Sequence, residues 1–195
     1  QDDKEAVKWW KLSAEQGYAD AQSNLGNMYS NGLGVPQDYK EAVRLYRLSA
    51  EQGFDVAQFA LGSMYYQGQG VPQDDKEAVK WWKLSAEQGD AGAQYNLGFM
   101  YGTGKGVPQD YSLAHMWWKL SAEQGRASAQ YNLGLMYKNG QGVPQDYVLA
   151  HMWWNICGSS GDKDCVKNRN IVENKMSKTQ IEKAQELARN WKPKK

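Results

Sequence analysis

The chain has 195 residues, a formal net charge of +1 and 41% hydrophobic residues. That balance leaves no basic excess to neutralise phosphates, which argues against nucleic acid as a partner, and no apolar run approaches the ~20 residues of a membrane span. The opening residues, QDDKEAVKWW, show no signal peptide, but they read as the middle of a repeat, which leaves room for an upstream segment.

Residues 1–17, ending KWWKLSAEQG, read as the second helix of a truncated unit. Four nearly superimposable units follow over 18–53, 54–89, 90–125 and 126–161, each carrying the loop GVPQD, at Gly34, Gly70, Gly106 and Gly142, 36 residues apart. A fixed period in this range marks a solenoid, in which each unit buries its apolar face against its neighbours. In the first helix of a unit, Ala21, Leu25, Met28 and Tyr29 follow the spacing of one buried stripe. Gly32 then ends the helix, because glycine takes the left-handed cap conformation without a Cβ penalty.

Asp38 is predicted to cap the second helix, with Glu41 three residues on completing a capping box. Asp2/Glu5 and Asp74/Glu77 repeat that pair, while Leu113 and Leu149 replace the glutamate later. Pro36 suits an extended residue that needs no amide donor, and Gly53, Gly89 and Gly125 close the second helices. GVPQD is therefore a corner piece. It lacks the Lys-Ser/Thr of a phosphate loop, and its aspartate would repel phosphate.

After Gly161 the pattern fades. Arg169 and Asn170 stand where the repeat has Leu-Gly, which predicts a helix changed in register or face. Ser177, with Gln180 in a capping box, opens a last helix whose stripe is Ile181, Ala184, Leu187, Ala188 and Trp191. Residues 162–195 thus read as a degenerate helix plus a terminal cap, apolar inside and polar outside.

The recurring pattern A-x-x-x-L-G-x-M-Y-x-x-G-x-G-V-P-Q-D-Y followed by A-x-x-W-W-K-L-S-A-E-Q-G, over about residues 1–161, resembles the Sel1-like repeat, a relative of the tetratricopeptide repeat. The resemblance implies an all-α fold, a right-handed α/α superhelix of stacked hairpins. It also implies a scaffold that binds a protein or peptide rather than an enzyme, without cofactor or metal, in a mainly bacterial setting that is often periplasmic or secreted. A monomer is expected.

The tryptophan pairs Trp9-Trp10, Trp81-Trp82, Trp117-Trp118 and Trp153-Trp154 fall at one repeat position, which Leu45-Tyr46 fills once. Adjacent residues ~100° apart on a helix serve two packing contacts; a stacking platform for glycans is the alternative. His115 and His151 stand where other units have valine, with no carboxylate or cysteine recurring at ligand spacing. Asn24, Asn96 and Asn132, before the Leu-Gly step, are expected to hydrogen-bond a turn.

Cys157 and Cys165 occupy the positions of Ser121 and Ala129, eight residues apart across the turn between helices. Small residues facing each other there make a disulfide geometrically reasonable, and the spacing resembles the bridge of the cysteine-rich bacterial branch of the family, which carries one in every repeat. A disulfide would imply an oxidising compartment; two buried thiols in a reducing cytosol are the alternative. That branch also suggests a hydrolase acting on cell-wall or β-lactam-like compounds, but no nucleophile–base pair stands out from the repeat.

Function is expected where the copies differ. On the first helices these positions are Ser23, Asn27 and Ser30; Phe59, Ser63 and Tyr66; Tyr95 and Phe99, with Gly102; and Tyr131, Leu135 and Lys138. They share one face by their i, i+4, i+7 spacing. This face is the expected partner-binding groove, on the inner wall that first helices line in tetratricopeptide-like solenoids, with the aromatic residues as anchors. The alternative is that these side chains fill gaps between repeats, above all at position 23 and its aromatic equivalents.

Overall fold

The computed structural model of the chain describes residues 3–194, which contain helices and no strand. The helices are α1 (Asp3–Glu15), α2 (Ala19–Asn31), α3 (Tyr39–Glu51), α4 (Asp55–Gln67), α5 (Asp75–Glu87), α6 (Ala91–Thr103), α7 (Tyr111–Glu123), α8 (Ala127–Asn139), α9 (Tyr147–Ser159), α10 (Lys163–Glu173) and α11 (Lys178–Asn190). They form two compact units, and the division falls inside α6. The first spans residues 1–93 with 105–107, and the second spans 94–104 with 108–195.

In the first unit each helix from α1 to α5 packs on the next in sequence. Ala21, Leu25 and Leu45 form one core with Ala14, and Ala57, Leu61 and Met64 form another with Val43, Tyr46 and Trp81. Each fully buried leucine of this kind contributes about 1.5–3 kcal/mol.

The GVPQD loop makes the corner by a fixed set of contacts. Gly32, Gly68 and Gly140 end the first helices at φ 67–68°, the left-handed region that favours glycine. The Asp38 carboxylate accepts from the amides of Lys40 at 2.9 Å and Glu41 at 3.1 Å, while its own amide donates to the Tyr29 carbonyl at 2.9 Å. The Gln37 Nε2 donates to the Ser30 carbonyl at 2.8 Å. Gly34 lies so close to the start of α1 that a Cβ would overlap the Asp3 carbonyl, and Gly70 meets Tyr39 in the same way. The glycine is therefore required by its positive φ and by a neighbouring backbone at once.

Only half of the predicted box forms at α3 and α5. Asp38 and Asp74 cap as expected, but Glu41 pairs with Arg44 at 2.6 Å and Glu77 with Lys80 at 3.3 Å instead of returning to the cap amide. A basic residue three positions on offers a full positive charge, which the cap amide does not. Asp2 of the first pair lies outside the described residues. Gln52, Gln88 and Gln124 are the caps that close the second helices, and the expected glycines follow one residue later at positive φ.

In the second unit, α8, α10 and α11 all pack on α9. The last helix opens with the full box: Ser177 Oγ accepts from the Gln180 amide at 3.3 Å, and the Ser177 amide donates to Gln180 Oε1 at 2.8 Å. Ala188 and Trp191 lie against Trp153 and Ile156. The expected change of register in α10 does not occur. Cys165 and Val172 are buried at the positions of Ala129 and Met136. Arg169 fits at the leucine position because its guanidinium donates to Asn155 at 3.1 Å and lies near Glu173 at 3.9 Å.

Candidate functional site

The divergent face of the first helices does not form one uniform surface. In the first unit, Ser23, Asn27, Ser30, Phe59 and Ser63 line a single cleft of about 520 Å³ between α2, α4 and the corner loops. Its floor includes Tyr46 and Met64, both buried. Burial pushes the Tyr46 phenol above its ordinary range, and a hydrogen bond with Ser30 partly offsets this, so the floor stays neutral. Tyr66 lies outside the cleft; its ring stacks on Trp82 at 5.4 Å, under the Lys105 ammonium at 5.9 Å.

In the second unit, Tyr95 and Tyr131 line a smaller pocket of about 290 Å³ with Asp162 and Asp164. Phe99, Leu135 and Lys138 are half-buried and do not line it. Position 23 and its equivalents have a packing role besides. Ser23 is only 4% exposed, the Phe59 ring abuts Gly92, and the Arg126 guanidinium sits 4.9 Å over the Tyr95 ring.

The tryptophan rows are packing elements. Trp81, Trp82, Trp117, Trp153 and Trp154 are buried. The second tryptophan of a pair donates its indole N–H to the first helix: Trp82 to the Phe59 carbonyl at 3.2 Å, Trp118 to Tyr95 and Trp154 to Tyr131, both at 3.1 Å. This explains the Leu-Gly step. A Cβ on Gly62 would lie 2.7 Å from the Trp82 ring, and Gly98 and Gly134 are equally pressed by Trp118 and Trp154. Trp9, at 64% exposure, is the exception.

The histidines are partnered side chains. His115 Nε2 is 2.9 Å from the Tyr137 hydroxyl, and burial, with Lys119 nearby, lowers its pKa. His151 is wholly buried, with Nε2 2.7 Å from the Glu173 carboxylate. That carboxylate comes from 22 residues away, beyond any local ligand spacing. The asparagines correct an expectation. Asn24, Asn96 and Asn132 make no side-chain hydrogen bond among the described residues; they lie within the first helices, and Asn24 and Asn132 line the two pockets instead.

The LSAEQG serines are buried in the packing between helices, at Ser49, Ser85 and Ser121, and Ser49 Oγ donates to the Ala19 carbonyl at 2.6 Å. One Ser-x-x-Lys spacing does occur, at Ser160 and Lys163, but it straddles a turn in which Ser160 Oγ donates to the Cys157 carbonyl at 2.7 Å. Sequence reasoning missed the glutamine ladder. Gln52 donates to Gln22 at 2.8 Å, Gln88 to Gln58 at 2.8 Å and Gln124 to Gln94 at 2.9 Å. The invariance of both glutamines across the copies was the available signal. Cys157 and Cys165 are joined in a disulfide with Cα atoms 5.9 Å apart.

The Sel1 repeat model matches residues 1–18, 19–54, 55–90, 91–125 and 127–161. A Sel1 repeat protein from Oxalobacter formigenes is 38% identical, with a TM-score of 0.79 over 86% of this chain and 49% of its own. The protein c5321, a protective antigen of uropathogenic Escherichia coli with an SLR fold, is 29% identical, with a TM-score of 0.51 over 97% of this chain and 56% of its own. A sel1 repeat protein from Klebsiella pneumoniae shares the fold at 24% identity, with a TM-score of 0.54 over 86% of this chain and 84% of its own. The chain spans about half the length of the first two. Comparison with functionally curated proteins finds no match. With repeat units matched along most of its length and hairpins of the same kind, the chain belongs to the Sel1 repeat family.

Proposed function

We propose that this chain is a protein–protein interaction scaffold that holds a peptide or protein segment against its first helices, as a monomer and without catalysis. Sel1 repeats fit such a role. The observation that carries the reading is the cleft in the first unit, where five of the divergent positions meet in a volume of about 520 Å³, within the range typical of binding sites. The repeat positions that do not vary are spent on packing, caps and corners, so binding falls to those that do. Tyr66, Tyr95, Phe99, Tyr131, Leu135 and Lys138 would extend the contact along each unit.

The setting is an oxidising one, the periplasm or the outside of a bacterial cell. The Cys157–Cys165 disulfide supports this, and c5321 being a protective antigen accords with host contact. No helix among the described residues is long and apolar enough to cross a membrane. The test is capture from a bacterial envelope fraction by the wild-type chain and by Ser63→Trp, which fills the cleft. A protein retained by the wild type and lost by the variant, at unchanged melting temperature, is the expected result. Equal capture by both would end the reading.

A further inference from the structure

The cleft of the first unit contains no charged side chain: among the described residues, no Asp, Glu, Lys or Arg lines it. A charged group entering it would find no counter-charge to offset whatever water it gives up. Carboxamides provide its polarity instead. Those of Asn24, Gln67 and Gln69 make no side-chain hydrogen bond among the described residues, whereas Gln37 commits its Nε2 to the Ser30 carbonyl and the Tyr39 hydroxyl. A carboxamide offers N–H donors and a carbonyl acceptor in one plane, the same groups that a peptide bond presents.

The rings at the cleft favour a peptide over a sugar. Of the three that line it, Tyr46 and Phe59 are pressed on neighbouring helices, so that a Cβ on Gly26 would lie 2.9 Å from Tyr46 and one on Gly92 3.1 Å from Phe59, and Tyr39 accepts from Gln37 Nε2 at 3.0 Å. Open aromatic faces on which a sugar would stack are thereby reduced, while an extended main chain needs none. We infer that this cleft takes an extended, uncharged peptide segment and reads its main chain through Asn24, Gln67 and Gln69, an inference that rests on the scaffold reading above.

The probe is a bead library of short peptides, acetylated and amidated at their ends, with all side-chain types equally represented. The intact chain should select peptides depleted in Asp, Glu, Lys and Arg. A selected peptide should bind equally well after about a tenfold rise in salt, since no charge is there to be screened. Asn24→Ala and Gln67→Ala should each weaken it roughly three- to tenfold, the loss of one hydrogen bond, and methylation of the peptide's own amides should weaken it further. Both variants should melt with the wild type, because both side chains are exposed and unbonded. Charged or salt-sensitive binders that Ser63→Trp still abolishes would overturn main-chain reading and leave the scaffold standing, as would indifference to Asn24→Ala and Gln67→Ala. An empty selection, binding of glycans alone, or peptides bound unchanged by Ser63→Trp would overturn both.

Discussion

The hairpin of α7 and α8 and the hairpin of α9 and α10 occupy equivalent places in successive repeats of one unit, yet they are closed by different chemistry. In the first, Ser121 and Ala129 are both buried, Gln130 donates to the Ala122 carbonyl at 3.2 Å, and Gln124 reaches Gln94. In the second, Ser160 and Val166 replace those glutamines and the polar bridge is gone. The disulfide stands at the serine and alanine positions instead. The partner of the histidine changes as well, from Tyr137 to Glu173 at the corresponding position. An internal hairpin is held from both sides, so modest hydrogen bonds suffice. In the last hairpin α10 itself lacks the Leu-Gly step, and there a covalent link and the contact of the buried His151 with Glu173 take over.

The largest effect should come from the covalent link. Replacing both Cys157 and Cys165 by alanine should cost about 2.5 kcal/mol for a loop of this length, read by urea unfolding, and the unreduced native protein should present no thiol to a labelling reagent. Next is the buried contact: Glu173→Ala strands the wholly buried His151 and should cost about 1–3 kcal/mol, whereas Tyr137→Phe in the other hairpin should cost less. Breaking the glutamine bridge with Gln124→Ala should cost about 0.5–1.5 kcal/mol, with no counterpart in the last hairpin, where Ser160→Ala should cost less.

A smaller effect separates the histidines. The pKa of His115 is lowered in the fold by burial and then by Lys119, so below the ordinary histidine value of about 6.5 the unfolded chain binds the proton more readily. Its contribution to stability is therefore present at neutral pH and lost as the pH falls. His115→Gln should flatten part of that acid slope in a melting series. The smallest is Glu41→Ala. With no reciprocal capping bond to lose, only an exposed ion pair with Arg44 goes, worth about 0.5 kcal/mol or less; a loss near that of Asp38→Ala, about 1 kcal/mol, would mean the box closes in solution.

Much of the architecture was legible because the repeat copies local instructions. Gly32 and Asp38 act through their own backbone and the next turn, so their roles can be read one residue at a time. Helical geometry favoured packing over a glycan platform for the tryptophan rows, but gave no reason for the glycine beside each leucine, which is an indole arriving from the following helix. The same limit applies to Arg169. Its type suggested a shifted helix, and only its hydrogen bond to Asn155 explains why the register holds.

The sequence marked twelve divergent positions as one face, but not that only five of them meet in the cleft of the first unit, nor the free amides of Asn24 and Gln67. By itself the sequence determined which segments are helices, where they start and stop, and that they recur as hairpins, since these depend on φ preferences, caps and periodicity within a few residues. Tertiary structure alone decided which side chains find partners 22 to 30 residues away and which polar groups are left facing a cleft. Those outcomes depend on the distance between packed helices, a quantity that no local pattern encodes.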